Sequence, residues 1–278
     1  MMDKCRIKQF FAIEYLRVIL KKNTFQVLVF LCLTFKFSMI FSQEKKNVPL
    51  RIDKRCLVFS GFAGIALPGD DLSKDYGTYG EIGGGILYQS RTKWLIGLEG
   101  SYFFGNGVKT DPVSNLRNAE GSIVGNDGSY ATFKIFQRGA QFPLLKFGKT
   151  ISLKKNPRHN KLGGLTLMGG GGWFQHWTYI QDLSKKTDQF SERYIDGYDR
   201  LTNGPGFGAW VGYIFLPTSS KINFHLEGGY FVSFTERKRY DFANNLPAGQ
   251  KRTDSFFQLR LKICFTVRSK AEDEFYYN

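Results

Sequence analysis

Long apolar runs, proline, histidine and helical periodicity are all scarce in this 278-residue chain, and each scarcity excludes something. Only residues 25–41, FQVLVFLCLTFKFSMIF, stay apolar for long, so the rest of the chain is no bundle of membrane-crossing helices. Proline occurs 8 times against 42% apolar and 16% aromatic residues, a balance that excludes disorder. Three histidines and four cysteines form no metal-ligand cluster or thiol-pair motif. The glycine runs 83–85 and 169–172 precede no GK[ST] and no helix start, so no phosphate loop and no cofactor are expected. From Cys56 onward no segment repeats its apolar residues every 3.6 positions, and an all-β reading remains.

Basic residues are plentiful: Lys+Arg 39 against Asp+Glu 24, a formal charge of +15. Residues 1–43 hold seven of those cations and two of the acids, so the remainder carries +10. Lys21 and Lys22 ahead of the apolar stretch, and the polar Ser42–Lys46 after it, make a secretory signal pattern; Lys36 interrupts the run and weakens a membrane-anchor reading. The chain therefore divides into an extension and signal at 1–43, a lead-in at 44–55, a barrel at 56–267 and a tail at 268–278. Export implies an oxidising compartment, in which the processed chain keeps only Cys56 and Cys264, near its two ends.

Eight extended segments are predicted, at 56–67, 79–90, 93–104, 129–152, 161–181, 205–216, 221–241 and 254–267. Their links alternate long and short, which an even-numbered antiparallel barrel in an outer membrane does, with short periplasmic turns and long external loops. Faces alternate as well. In the last segment Phe257, Leu259, Leu261, Ile263, Phe265 and Val267 oppose Gln258, Arg260, Lys262, Cys264 and Thr266. An eight-stranded barrel is only wide enough for its own side chains, and the bulky apolar set would overfill it. The large residues are therefore placed outward, in lipid, and the small and charged ones inward. Trp94 and Tyr88 near short turns, and Trp173, Trp177, Tyr179 and Tyr102 near long loops, suit two interfacial belts.

On these residues, about 56 to 267, the chain resembles the small eight-stranded outer-membrane proteins of Gram-negative bacteria, such as the OmpA membrane domain and OmpX. The resemblance rests on pattern rather than on a signature motif. It implies both termini in the periplasm, and it departs from the family where an acidic-aromatic tail follows the final strand.

The inward positions are expected to gather Glu81, Glu99 and Glu227 with Lys134, Arg138, His225, Arg260 and Lys262, paired so that the lumen is plugged. Cys56 and Cys264 share the inward face of the first and last strands, and are expected at similar depth near the periplasmic rim, close enough for a disulfide in principle. His176 is the one histidine high in a strand and lacks a companion hydroxyl in a deacylase motif, so no enzyme is expected. A lipid-facing trio of His176 with Ser, Asp or Glu would reverse that ranking. Lys185, Lys186, Arg237, Lys238 and Arg239 in the external loops are candidate contacts to lipopolysaccharide phosphates. The partners expected are outer-membrane lipid, lipopolysaccharide and a protein, with no nucleic acid. The favoured role is a non-enzymatic structural or interaction barrel, an accessory subunit of an export or assembly complex being one form of it; a lipid-modifying enzyme and a narrow solute channel are the alternatives.

Overall fold

The computed structural model describes residues 52–151, 163–185, 187–190, 194–215 and 222–270; the expected signal, most of the lead-in and residues 271–278 lie outside them. Eight strands form in chain order: β1 Ile52–Gly69, β2 Tyr79–Gln89, β3 Trp94–Gly105, β4 Phe133–Ile151, β5 Gly164–Asp182, β6 Thr202–Phe215, β7 Ile222–Arg237 and β8 Lys251–Lys270. One helical turn, α1 (Asp70–Asp75), follows β1. Each strand pairs antiparallel with its sequence neighbours, and β1 closes on β8, giving an up-and-down barrel with no free edge. Both closing strands run beyond the predicted 56–67 and 254–267, since their pairing continues from Ile52 with Lys270 to Gly69 with Ser255.

β1 continues to Gly69 and takes up part of the expected long loop, so that the link to β2 spans only 70–78. The short link expected around residues 156–158 lies outside the described residues. The two ends of the barrel still differ, with α1 and three short 3-10 turns all at the end carrying links 70–78, 106–132, 183–201 and 238–250.

The outer wall is apolar and exposed around the ring, with Ile96 at 55%, Leu261 at 54% and Phe265 at 49% of full exposure. An apolar surface of this extent far exceeds the few hundred Å² that water tolerates, so the wall faces lipid and the barrel is a membrane-spanning one. Cations on the outer face of β4 mark the limits of this band. Lys134 and Arg138 point outward at the long-loop end, while Lys149 does so at the tight-turn end. Between Arg138 and Lys149 lie about 36 Å of strand, or about 28 Å along the barrel axis at a tilt of about 40°, close to the height of a lipid-facing band.

The interior is more aromatic than the sequence expectation. Small and charged residues fill its lower half, but Phe103, Phe174, Trp210, Phe231 and Phe256 are also inward and buried. Glycine makes room for them: a Cβ on Gly229 would collide with the Trp210 indole, and one on Gly83 with the Phe62 ring.

A bulge in β4 controls which of its residues face in. Glu99 pairs with Leu144 and Ser101 with Gln141, so β4 carries one residue more than β3 between these pairs, at Phe142 and Pro143. Gln137 and Gln141 are buried before it, Leu144 and Lys146 after it, so the inward parity switches from odd to even. Proline is tolerated inside a strand at such a point.

Candidate functional site

The inward side chains of β8 are the axis of the lumen. From the tight-turn end they run Cys264, Lys262, Arg260, Gln258, Phe256 and Asp254, all at most 2% exposed, through successive layers of the lumen.

The charged layer is built on Arg260 and Lys262. Arg260 donates through Nη2 to Glu81 Oε1 at 2.6 Å and through Nη1 to Glu99 Oε2 at 3.1 Å. Its Nη2 also reaches Gln141 Oε1 at 3.1 Å. Lys262 Nζ bonds Glu99 and lies 3.1 Å from Glu227 Oε1. A third cation, Lys146, completes the set at 2.6 Å from Glu227 and 3.1 Å from Glu99. Three carboxylates thus meet three cations. Rings line the layer, with the Lys146 ammonium 4.1 Å from the Trp210 ring centre and the Arg260 guanidinium 4.9 Å from that of Phe62. Gln258 donates to Glu81 at 3.2 Å and accepts from Trp210 Nε1 at 3.1 Å, linking the charges to the aromatic layer. His225 sits on the tight-turn side of the network, its Nε2 3.0 Å from Thr166 Oγ1.

Two expected members are absent from this layer. Lys134 is exposed, and Arg138 lies outward with its guanidinium 4.9 Å from the Phe136 ring centre and 5.9 Å from that of Tyr179. Both precede the β4 bulge and so fall on the lipid side. The missed cation, Lys146, follows it and shares the even parity by which Lys134 and Arg138 are expected inward; Pro143 inside a predicted strand was the available signal that the parity changes before it.

The cysteines also differ from expectation. Both are inward and buried, but Cys56 pairs with Arg268 and Cys264 with Ser60, four positions apart. That offset is about 13 Å along the strand, beyond the reach of a disulfide, and the two are not bonded. Matching strand ends ignored the stagger that closes a barrel.

Above the charges, Phe256 packs at ring-centre distances of 5.4 Å on Phe103, 4.8 Å on Phe174 and 5.4 Å on Phe231. Above these, His176 Nε2 lies 2.9 Å from Asp254 Oδ2, which also accepts from Thr235. His176 is 1% exposed and stands edge-on to Tyr76, and its Nδ1 has no hydrogen-bond partner. This pair points into the barrel, so the lipid-facing trio that acyl transfer requires is not formed around His176.

The long loops are built as a cap. Val113, Ile123, Ile180, Phe190 and Tyr198 make a second apolar core, with Leu116, Phe133, Ile135 and Ile195 against it. Ion pairs tie the loops to one another. Asp241 accepts from Arg237 Nη1 at 2.6 Å and lies 3.2 Å from Arg200 Nε in an ion pair, while Arg200 Nη1 donates to the Thr110 carbonyl at 3.0 Å. Arg252 holds α1, donating to Asp75 at 2.6 Å and to the Asp71 carbonyl at 2.8 Å. Of the cations expected to meet lipopolysaccharide, Arg237 is buried on Asp241, Arg239 pairs with Asp196 and Asp199, and Lys238 lies 3.3 Å from Glu236. Lys185 is exposed, and Lys186 lies outside the described residues.

Burial pushes the Asp199 carboxyl up to about 6, against the opposing pull of the Leu201 amide and Arg239. An acid whose folded value is raised binds a proton on folding, so its stabilising share is present at low pH and is lost as pH rises through about 6. Amide exchange around residues 195–201, corrected for intrinsic rates, is therefore expected to be slower at pH 5 than at pH 7, and Asp199→Asn should remove the difference. Equal protection at both pH values in the native chain would refute this.

No family model and no curated protein matches the chain. Among solved structures it is similar to Ail, the attachment invasion locus protein of Yersinia pestis, in complex with the heparin analogue sucrose octasulfate, at 10% identity over 77% of this chain and 98% of that one, with a TM-score of 0.39. It is also similar to Neisserial surface protein A, at 11% identity over 75% and 96% with a TM-score of 0.32. A third is the outer membrane protein AlkL in lipid bilayers, at 13% identity over 84% and 99% with a TM-score of 0.35. None of these three likenesses exceeds a TM-score of 0.39, and the closed eight-stranded antiparallel ring is read from this chain's own strand pairing.

Proposed function

We propose that this protein is an outer-membrane barrel with a sealed lumen that acts through its external cap, as a structural or interaction protein rather than an enzyme or a channel. One observation carries the reading: the charged and aromatic layers pack onto each other along the axis, which leaves the ordered cap as the surface offered to a partner. Loops that merely joined strands would need neither the second apolar core nor the Asp241 and Arg252 ties. In this orientation the long loops face outside and the tight turns the periplasm, after export by a cleaved signal at 1–43. The cations placed to meet lipopolysaccharide phosphates are Lys134, Arg138 and Lys185 on the outer rim, in place of the engaged Arg237, Lys238 and Arg239.

The test combines conductance with crosslinking in cells. Planar bilayers containing the purified protein should carry no steady single-channel current. A photo-crosslinking residue at Tyr130 or Tyr240, 60% and 42% exposed on the cap, should give a discrete protein adduct, whereas one at Leu261 in the wall should give none. A steady ohmic conductance, or adducts absent from both cap positions, would overturn the reading.

A further inference from the structure

A dent lies in the tight-turn half of the lipid-facing wall. Outward positions on β5 and β6 are small where the two strands pair, Gly169 against Ala209, and larger residues surround them: Phe147, Leu167, Val211 and Trp94, each 42–54% exposed. The resulting groove has a volume of about 420 Å³, with Met168 and Trp210 closing its floor from inside the barrel. Nothing in the backbone forces it to be empty. A Cβ on Gly169 would meet only the Gly208 carbonyl, at 3.9 Å, so a larger residue fits there without strain.

The tight-turn end of the groove is built differently from its middle. Trp94 stacks on Phe147 with ring centres 5.0 Å apart, and the Lys149 ammonium stands 5.2 Å from the Trp94 ring centre. Lys149 is exposed and has no acidic partner among the described residues. An aromatic platform with a cation beside it, at the level where the apolar band ends, is the arrangement that holds a phosphate at a membrane interface. An apolar trough runs from that cation toward the middle of the wall.

We propose that this groove is a binding site for one anionic phospholipid of the leaflet on the tight-turn side, its phosphate on Lys149 and one acyl chain lying over Gly169 and Ala209. The occupant follows from charge and position. The groove opens onto the tight-turn interface, and the cation there favours an anionic over a zwitterionic headgroup. The assignment of that leaflet to the periplasmic side rests on the orientation proposed above; the site itself does not.

Brominated lipids provide the test, because bromine quenches nearby indoles. The full barrel, with Trp173→Phe and Trp177→Phe leaving Trp94 and Trp210 as reporters, is reconstituted into phosphatidylcholine vesicles. These contain a minor fraction of either brominated phosphatidylglycerol or brominated phosphatidylcholine. The expected result is quenching by phosphatidylglycerol well above its mole fraction. Lys149→Gln should lower that preference about fivefold, the effect of one cation near an anionic surface. Gly169→Leu should reduce quenching by both lipids while leaving the heat-modifiable folded band intact. Quenching that tracks mole fraction for both headgroups would overturn the proposal while leaving the membrane reading standing, whereas no quenching by any lipid would count against the membrane reading itself. A dimer in detergent that Gly169→Leu dissociates would replace the lipid with a second copy of the chain, and would equally overturn it.

Discussion

Arg260→Met, made alone, is expected to destabilise the folded barrel by about 3–5 kcal/mol, because it leaves three buried carboxylates facing two cations. Arg260 is 1% exposed and binds Glu81 and Glu99 directly, so neither water nor another side chain replaces it. The informative comparison is the double variant Glu81→Gln/Arg260→Met. It restores the balance, with Glu99 and Glu227 against Lys146 and Lys262, and the new amide still accepts from Gln258. Most of the loss should therefore be recovered. Urea unfolding in detergent micelles, read by the heat-modifiable gel shift, measures both variants. If the double variant is no more stable than the single one, charge balance is not what the layer requires.

Phe256→Ala is expected to cost a similar amount, about 3–5 kcal/mol, since it opens a cavity among rings too rigidly placed to close it. Phe103, Phe174 and Phe231 all touch this ring and sit on different strands, so collapse would have to move the wall. Phe256→Leu keeps most of the volume and should lose less than about 1.5 kcal/mol. Neither variant should create a conductance, because Gln258 and Arg260 still fill the layer below. A channel in Phe256→Ala would mean that the aromatic layer alone closes the lumen.

Much of this architecture was legible because a barrel strand writes its two faces as a period of two. β8 and β7 keep that period throughout their lipid-crossing lengths, and the inward placement of Arg260, Lys262, Glu227 and His225 follows from counting. β4 does not keep it. Its extra residue sends Lys134 and Arg138 to lipid and Lys146 to the lumen, and parity carried across Pro143 cannot register that change. The aromatic layer was hidden for another reason, that Phe and Trp occur on both faces and only packing against glycine tells which ring is inside. The depth of the cysteines depends on the stagger between β1 and β8, a property of the closed ring that neither strand encodes by itself.

The extra residue in β4 makes that strand a splice of two incompatible halves. Deleting one of Phe142 and Pro143 would only straighten it, leaving a single residue opposite Gly100; deleting both would put Gln141 beside Leu144, two residues that each face in, with composition and hydropathy almost unchanged. Yet residues on one side of the cut would turn inside out, carrying the Lys146 ammonium into hydrocarbon or drawing the Arg138 guanidinium into a lumen with no acid assigned to it. Anyone transplanting segments between barrels of this kind therefore has to move the kink together with one neighbouring half, since the junction, more than the residues on either side, records which way is in.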